Sequence, residues 1–239
     1  MQIAILAGGL ATRLQLLTER IPKSMIMIEG KPFLQYQLEF LKKGRVTNIV
    51  LCVGYLSEQI ETYFGDGKRF CVDIKYSRER ERLLGTAGAL KNAEGLLEEE
   101  FFVVYGDSYL FLNFKEVLGH FQKFNKSALM VVYKNDDKYD KSNVVVENGM
   151  IKKYDKKHKT EDMIYIDYGV SILRKKVLDM IPRNEVYSLE ELVPALINQN
   201  EMLAFETSER FYEMGSYRGL EEFKNYALYL RRKEGEKVK

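Results

Sequence analysis

The 239-residue chain is poor in the residues that build metal clusters and disulfide frameworks. It has two cysteines, Cys52 inside the apolar run IVLCV and Cys71 in FCVDI. Neither sits in a CxxC spacing, so a disulfide framework and a zinc site are both excluded, and the two are read as buried free thiols. The two histidines, His120 and His158, stand alone and are read as surface residues, because zinc needs clustered ligands. No apolar stretch reaches the roughly 18 residues of a bilayer span. Met1 leads straight into a strand pattern, without a charged leader and cleavage site, which points to a cytoplasmic protein with no membrane partner. Charge of one sign is also missing: 37 basic and 35 acidic residues give a formal net charge of +2. No global field argues for nucleic acid, and any affinity for phosphate must be local. Two glycine signatures are absent as well, GxxxxGK[ST] and GxGxxG, which removes the P-loop and dinucleotide readings. No Pro/Gly/Ser linker and no internal repeat divides the chain, so one continuous fold is expected.

The residues that are present alternate between two periodicities. Ile3 to Leu6, residues 48–53 and residues 101–105 are continuous apolar runs, as in strands buried on both faces of a parallel sheet. Helical patterns separate them. One starts near Pro32 and stops at Gly44, another is capped by Ser57 and ends at Gly65-Asp66-Gly67, and a third opens at Gly85. Residues 69–77 read as a third strand, and Arg78 to Arg82 as a solvated loop. FKEVLGHFQKF reads as a helix of about 11 residues by its period. Beyond it, residues 127–133, a hairpin turning at Asn148-Gly149, and residues 165–173 add antiparallel pieces. Ser188 and Glu191 have capping-box spacing ahead of a helix that Pro194 could kink, and 202–206 is a short strand before a last amphipathic helix. The fold class is therefore α/β, a Rossmann-like mixed, mostly parallel sheet flanked by helices. A single domain is expected over residues 1–232, with a nucleotide-binding half (1–125), a second half (126–232) and a frayed tail (233–239).

The stretch QIAILAGGLATRL runs from a strand into Ala7-Gly8-Gly9, where amides could approach a polyphosphate, and on to Arg13, a planar permanent charge. A Gly-Gly after a strand equally makes an ordinary tight turn, and the loop alone does not decide. Gly85-Thr86-Ala87-Gly88 at a helix start suits either a flat ligand or close helix-to-sheet packing. Asp107 follows an apolar strand, at the edge where open α/β sheets bind ligands, although such an Asp is also a common turn residue.

Read together, LAGGLATRL, IPKSM, GKPFLQYQLEFL, LGTAGAL, YGDS, YDKK and FYEMGS resemble the sugar-1-phosphate nucleotidyltransferases, in order and over nearly the whole chain to about residue 226. The resemblance implies a nucleotide-diphospho-sugar transferase type of fold; the carboxyl-terminal β-helix that the family often carries is not present in this sequence. It implies attack by a sugar-1-phosphate oxygen on the α-phosphorus of a nucleoside triphosphate, releasing pyrophosphate, with charge neutralisation and positioning as the main catalytic terms. Arg13, Lys23 and Asp107 would be catalytic. Leu6, Ala7, Gly8, Gly9, Gly85, Thr86 and Ala87 would bind the nucleotide. Gly106, Asp155, Lys156, Asp167 and Gly169 would bind the sugar phosphate, although YDKK could equally be a charged hairpin end. Mg2+ would be held by Asp107 and by Glu213, which stands where the family has aspartate and could also be a surface strand carboxylate. Ala11 and Ser24 replace the family's glycine and proline. LGTAGAL resembles mannose- and heptose-1-phosphate guanylyltransferases, and uridylyltransferases share much of it; GTP is favoured. Uridylyl or thymidylyl transfer, and a catalytically silent nucleotide-sugar-binding homologue, are the alternatives. A homodimer is one expectation, with the oligomeric state left open.

Overall fold

A computed structural model of the chain describes residues 1–9 and 20–236. Gln2–Leu6 (β1) pairs in parallel along both edges, with residues 48–52 on one side and 101–105 on the other. Ile3, Ala4 and Ile5 are fully buried. Ile3 and Ile5 face one core and Ala4 the opposite one, which is why the run cannot alternate with polar residues. After a small hairpin of Met27–Ile28 (β2) and Lys31–Pro32 (β3), the helix Phe33–Lys43 (α1) ends at Gly44 as the sequence predicts.

Asn48–Val53 (β4), Ser57–Phe64 (α2), Asp73–Arg78 (β5), Gly85–Asn92 (α3) and Glu100–Tyr105 (β6) complete the alternating half. Ser108–Leu110 (β7), Phe114–Phe121 (α4), Ala128–Lys134 (β8), Val144–Glu147 (β9), Met150–Tyr154 (β10) and Tyr165–Arg174 (β11) follow. Leu189–Asn198 (α5), Met202–Thr207 (β12), Phe211–Glu213 (β13) and Tyr217–Glu236 (α6) close the chain. Among the described residues, no helix is long and apolar enough to cross a membrane.

The large sheet has the order β5-β4-β1-β6-β11-β8-β12-β10-β9. The first four strands are parallel, and β11 enters antiparallel to β6. Helices α1, α2 and α4 cover one face and α3 and α5 the other. The chain leaves β1 towards β4 and β5 and then returns to β6 on the other side, so the strand order reverses between β1 and β6. Such a switch point opens a crevice at the carboxyl ends of the strands. A second, small sheet pairs β13 with β7, so that Glu213 lies opposite Ser108.

Several local expectations need correction. Ser57 is the first residue of α2 rather than its cap; Leu56, at φ 54°, precedes it. β5 begins at Asp73, because residues 68–70 form a 3-10 turn. Arg78 belongs to β5, where its guanidinium donates to both carboxylate oxygens of Glu61, so the charged run 78–82 is only partly a loop. Helix α4 has eight residues, not 11. The hairpin turn at Asn148-Gly149 has φ 51° and 71°, as a type I′ turn requires, and the capping box at Ser188 and Glu191 is present.

Cys52 is buried, but Cys71 is exposed. Burial, reinforced by the charge of Glu79, pushes the Cys52 thiol up to about 12. Since only the thiolate reacts, native protein at pH 8 should release one equivalent of chromophore rapidly with a disulfide exchange reagent, and the second only on unfolding. Rapid reaction of both thiols would show that the β1–β4 core opens readily.

Candidate active site

The β1–β6 crevice is closed at its base by a direct backbone contact: the Gly106 amide donates to the Leu6 carbonyl at 2.9 Å. A Cβ at Gly106 would stand 2.8 Å from that same oxygen, so the two strand ends can approach only because residue 106 is glycine. Above this contact lies a cleft of about 270 Å³ lined by Leu6 to Gly9, Lys23, Ser24, Glu79, Gly85, Thr86 and Tyr105 to Asp107. A second cleft of about 580 Å³ opens between the two halves, lined by Tyr105, Asp107, Asn143, Lys156, Asp167, Gly169 and Glu213 among others. Tyr105 and Asp107 belong to both.

Asp107 sits in the turn joining β6 to β7. That turn is clamped from below by the buried Gln37 of α1, whose Nε2 donates to the carbonyls of Tyr105 at 2.9 Å and Ser108 at 2.6 Å. On the other side the Met214 amide donates to the Asp107 carbonyl at 2.7 Å. The Lys23 ammonium donates to Asp107 Oδ2 at 2.5 Å, and the two side chains are 18% and 37% exposed. This pair is charge-assisted and partly shielded from water, which strengthens it relative to a surface pair.

The walls differ in chemistry. In the first cleft Glu79 is half-buried, and its Oε1 accepts from the Leu84 amide at 2.6 Å. Burial holds its carboxyl above the usual carboxylate range, opposed by that hydrogen bond. Gly85, at φ +74°, begins α3 against the 185–187 segment, and a Cβ there would meet the Tyr187 carbonyl oxygen at 2.8 Å. Both readings of this glycine pair hold together, since Gly85 faces the cleft and α3 is also tightly packed. Thr86 lines the cleft while its Oγ1 accepts from the Leu189 amide at 2.8 Å; Ala87 is buried in the core behind it.

In the second cleft, β11 bulges between Asp167 and Ser171, where Gly169 has φ +87°. Asp167 is 6% exposed at its side chain; its Oδ1 accepts from the Gly169 amide at 2.9 Å, and Lys156 Nζ lies 3.8 Å from its Oδ2. The same ammonium stands 5.2 Å from the Tyr105 ring centre and 5.7 Å from that of Tyr154. Burial, with the charges of Asp167 and Asp107 behind it, pushes the Tyr105 phenol well up, so the wall between the clefts is neutral. Asn143 is buried, and its Oδ1 accepts from the Asp167 amide at 3.0 Å.

Of the sequence-predicted site residues, Leu6, Ala7, Gly8, Gly9, Lys23, Gly85, Thr86, Gly106 and Asp107 meet at the first cleft, and Lys156, Asp167, Gly169 and Glu213 at the second. Asp155 does not join them: its Oδ1 accepts from the Lys157 and His158 amides of its own turn, at 2.7 and 2.9 Å. Arg13 and Ala11 lie outside the described residues. Glu79, Gln37 and Asn143 were missed. Glu79 is hidden in a run of charged residues, and Gln37 in a helix that reads as simply amphipathic; only Asn143, polar at the edge of the apolar run VVV, carried a signal.

A sequence model of the nucleotidyl transferase family matches residues 3–227. The chain belongs to this family. Among curated relatives, D-glycero-alpha-D-manno-heptose 1-phosphate guanylyltransferase of Campylobacter jejuni is 35% identical over 196 residues, covering 81% of this chain and 85% of the relative. Mannose-1-phosphate guanyltransferase beta-A of Xenopus laevis is 32% identical over 222 residues, which are 90% of this chain but only 61% of that protein. UTP–glucose-1-phosphate uridylyltransferase of Synechocystis is also 32% identical, over 83% of this chain and 55% of that protein. The solved structure of HddC from Yersinia pseudotuberculosis complexed with GMP-PN superimposes with a TM-score of 0.78 at 28% identity, over 91% of this chain and 95% of that one. A thymidylyltransferase structure from Bacillus anthracis at TM-score 0.83 and 20% identity shares the fold. This nucleotidyltransferase is therefore an enzyme of the sugar-1-phosphate class, built on the nucleotide-diphospho-sugar transferase fold.

Asp107→Asn should remove nucleotidyl transfer while leaving the circular dichroism spectrum unchanged, because the turn is held by backbone and Gln37 contacts rather than by the carboxylate. Lys23→Ala should lower kcat/KM at least about tenfold, roughly 1.4 kcal/mol of transition-state stabilisation. Parental turnover in both variants would remove this turn from the reaction.

Proposed function

We propose that the protein transfers a guanylyl group from GTP to a mannose- or heptose-like sugar 1-phosphate and releases pyrophosphate. The observation that carries this reading is the position of Asp107, whose turn separates the two clefts and lines both. Residues 1–125 form the nucleotide half, and 126–232 supply most of the sugar-phosphate wall. The sugar phosphate, held by Lys156, enters from the second cleft, and its oxygen is already ionised, so no strong general base is needed. Lys23 sits where the two anions must meet and offsets their repulsion, and the amides of Gly8 and Gly9 face the triphosphate, the Ala7 amide being bonded to the Cys52 carbonyl. Asp167, fixed by Gly169 and Asn143, accepts from sugar hydroxyls.

The donor set fits a magnesium ion. Asp107 and Glu213 both line the second cleft on segments joined by the Met214–Asp107 hydrogen bond, and they offer oxygen only. Among the described residues there is no group of three His, Cys, Asp or Glu, and magnesium commonly takes one or two carboxylates plus phosphate and water. Bound there, the ion would neutralise charge on the phosphates. Both Glu213 carboxylate oxygens accept within their own turn, from the Gly215 amide and the Ser216 hydroxyl, and one of these bonds would be given up for Glu213 to hold the ion.

Guanine is favoured by Glu79. An ionised carboxylate only accepts hydrogen bonds. Guanine offers two adjacent donors, at N1 and the 2-amino group, whereas uracil and thymine offer one N–H flanked by carbonyls. The likeness to guanylyltransferases, and to HddC with GMP-PN, supports the same base. The experiment is a panel of four triphosphates against mannose, heptose and glucose 1-phosphates, followed by pyrophosphate release with and without magnesium. Preference for UTP or dTTP would overturn the choice of base, and no turnover with any pair would favour a silent homologue.

Glu79→Gln should lower kcat/KM for GTP by roughly tenfold or more and leave UTP almost unaffected. Its carboxyl is raised by burial, so the accepting form is lost as pH falls through that raised value. The KM for GTP should therefore rise towards mild acid in the parent and stay flat in the variant. A flat profile in the parent would place the base elsewhere.

A further inference from the structure

The Lys23 ammonium lies close to both carboxylates proposed to hold magnesium. It donates to Asp107 Oδ2 at 2.5 Å. It also lies against Gly215, where an added Cβ would stand 3.3 Å from Lys23 Nζ and 2.6 Å from Glu213 Oε2. Glycine at 215 therefore leaves the ammonium about one atom's width from the Glu213 carboxylate. The other oxygen of Asp107 is not free of it either: Oδ1 faces the Ser108 hydroxyl at 3.4 Å, and a dication placed there would meet the like charge of the ammonium at close range. Among the described residues that line the second cleft, five carboxylates face two cations, so a positive charge at Asp107 is needed whether or not substrate is bound.

From this geometry we infer that Lys23 is the resident counter-ion of the metal site: in the nucleotide-free enzyme its ammonium takes the cation's place at Asp107 and excludes free divalent metal, and it moves off when a triphosphate offers it another acceptor. An ammonium has three donors and no acceptor, so it needs an oxygen partner in either state. With phosphate oxygens at hand it changes partner instead of losing one, and Asp107 is released at the moment the metal is required. Metal and triphosphate therefore enter the site together, each strengthening the other's binding. The inference rests on reading Asp107 and Glu213 as the metal ligands.

The test uses Mn2+, which takes the same oxygen ligands as magnesium, and follows its binding to nucleotide-free protein by the loss of the free-ion electron paramagnetic resonance signal. Parent, Lys23→Met, Lys23→Arg and the double variant Lys23→Met/Asp107→Asn are compared, with circular dichroism as the check that each is folded. Lys23→Met keeps the apolar stem and removes the charge, and it should bind Mn2+ at least about tenfold more tightly than the parent. Lys23→Arg keeps the charge and should bind like the parent. The double variant should lose the gain. A lysine that serves only the substrates or only the fold would leave the nucleotide-free metal affinity unchanged or lower. Equal or weaker Mn2+ binding by Lys23→Met, including no binding by either protein, overturns the inference, as does a gain that survives in the double variant or appears equally in Lys23→Arg. Turnover by the parent then separates the two readings. Where turnover depends on the metal and on Asp107, the inference alone falls; where it depends on neither, the metal site falls with it.

Discussion

The constraint on which the structure depends is the complete enclosure of β1. Its two edges are paired, its two faces are buried in separate cores, and only its carboxyl end is open to a ligand. Because the strand order reverses between β1 and β6, that end lies beside the end of β6 with no strand to cover it. The chemistry is gathered there by exclusion: the Gly8 and Gly9 amides, which lie just past the last bond of the β1–β4 ladder from Ala7 to Cys52, an acidic turn at Asp107, and a lysine brought by the segment that follows.

The second half solves a different problem. By entering antiparallel to β6, β11 presents its middle rather than its end to the same edge, and the bulge at residues 167–171 turns Asp167 and Gly169 towards the cleft. The small β7–β13 pair then carries Glu213 across from Ser108. Opposite charges are distributed so that each lysine in the site lies near a carboxylate, Lys23 at Asp107 and Lys156 at Asp167. Among the described residues the two clefts therefore carry more carboxylates than cations, so two anionic substrates need an added cation to approach one another there.

Much of this was legible in the sequence because periodicity reports burial. The continuous runs of β1, β4 and β6, the I′ turn at Asn148-Gly149 and the capping box at Ser188 follow from local rules and occur as expected. Position relative to distant elements was not legible. Glu79 reads as one more charge in a solvated run, and only the proximity of Gly8 and Gly54 makes it a cleft residue. Cys71 sits between apolar neighbours yet is exposed, because it occupies a left-handed position after a 3-10 turn rather than a strand. Asp155 has the residue type of a ligand, but the amides of its own turn are nearer. Glu79 is placed by a tertiary contact, whereas Cys71 and Asp155 are placed by the conformation of their own turns, which residue type and periodicity do not report.

The packing of α3 against residues 185–187 bears on how such enzymes can be re-engineered. Gly85 and Gly88 both abut that segment, whose Tyr187 carbonyl accepts from the Ala87 and Gly88 amides, and Thr86 binds the Leu189 amide at the start of α5. The wall proposed to face the base is therefore one half of an interlocked pair contributed by remote parts of the chain. Grafting the 84–89 loop of a relative with another base preference would bring foreign side chains against an unchanged partner. A chimera that transplants both segments together keeps the joint intact, and it is the unit in which nucleotide preference would have to be exchanged.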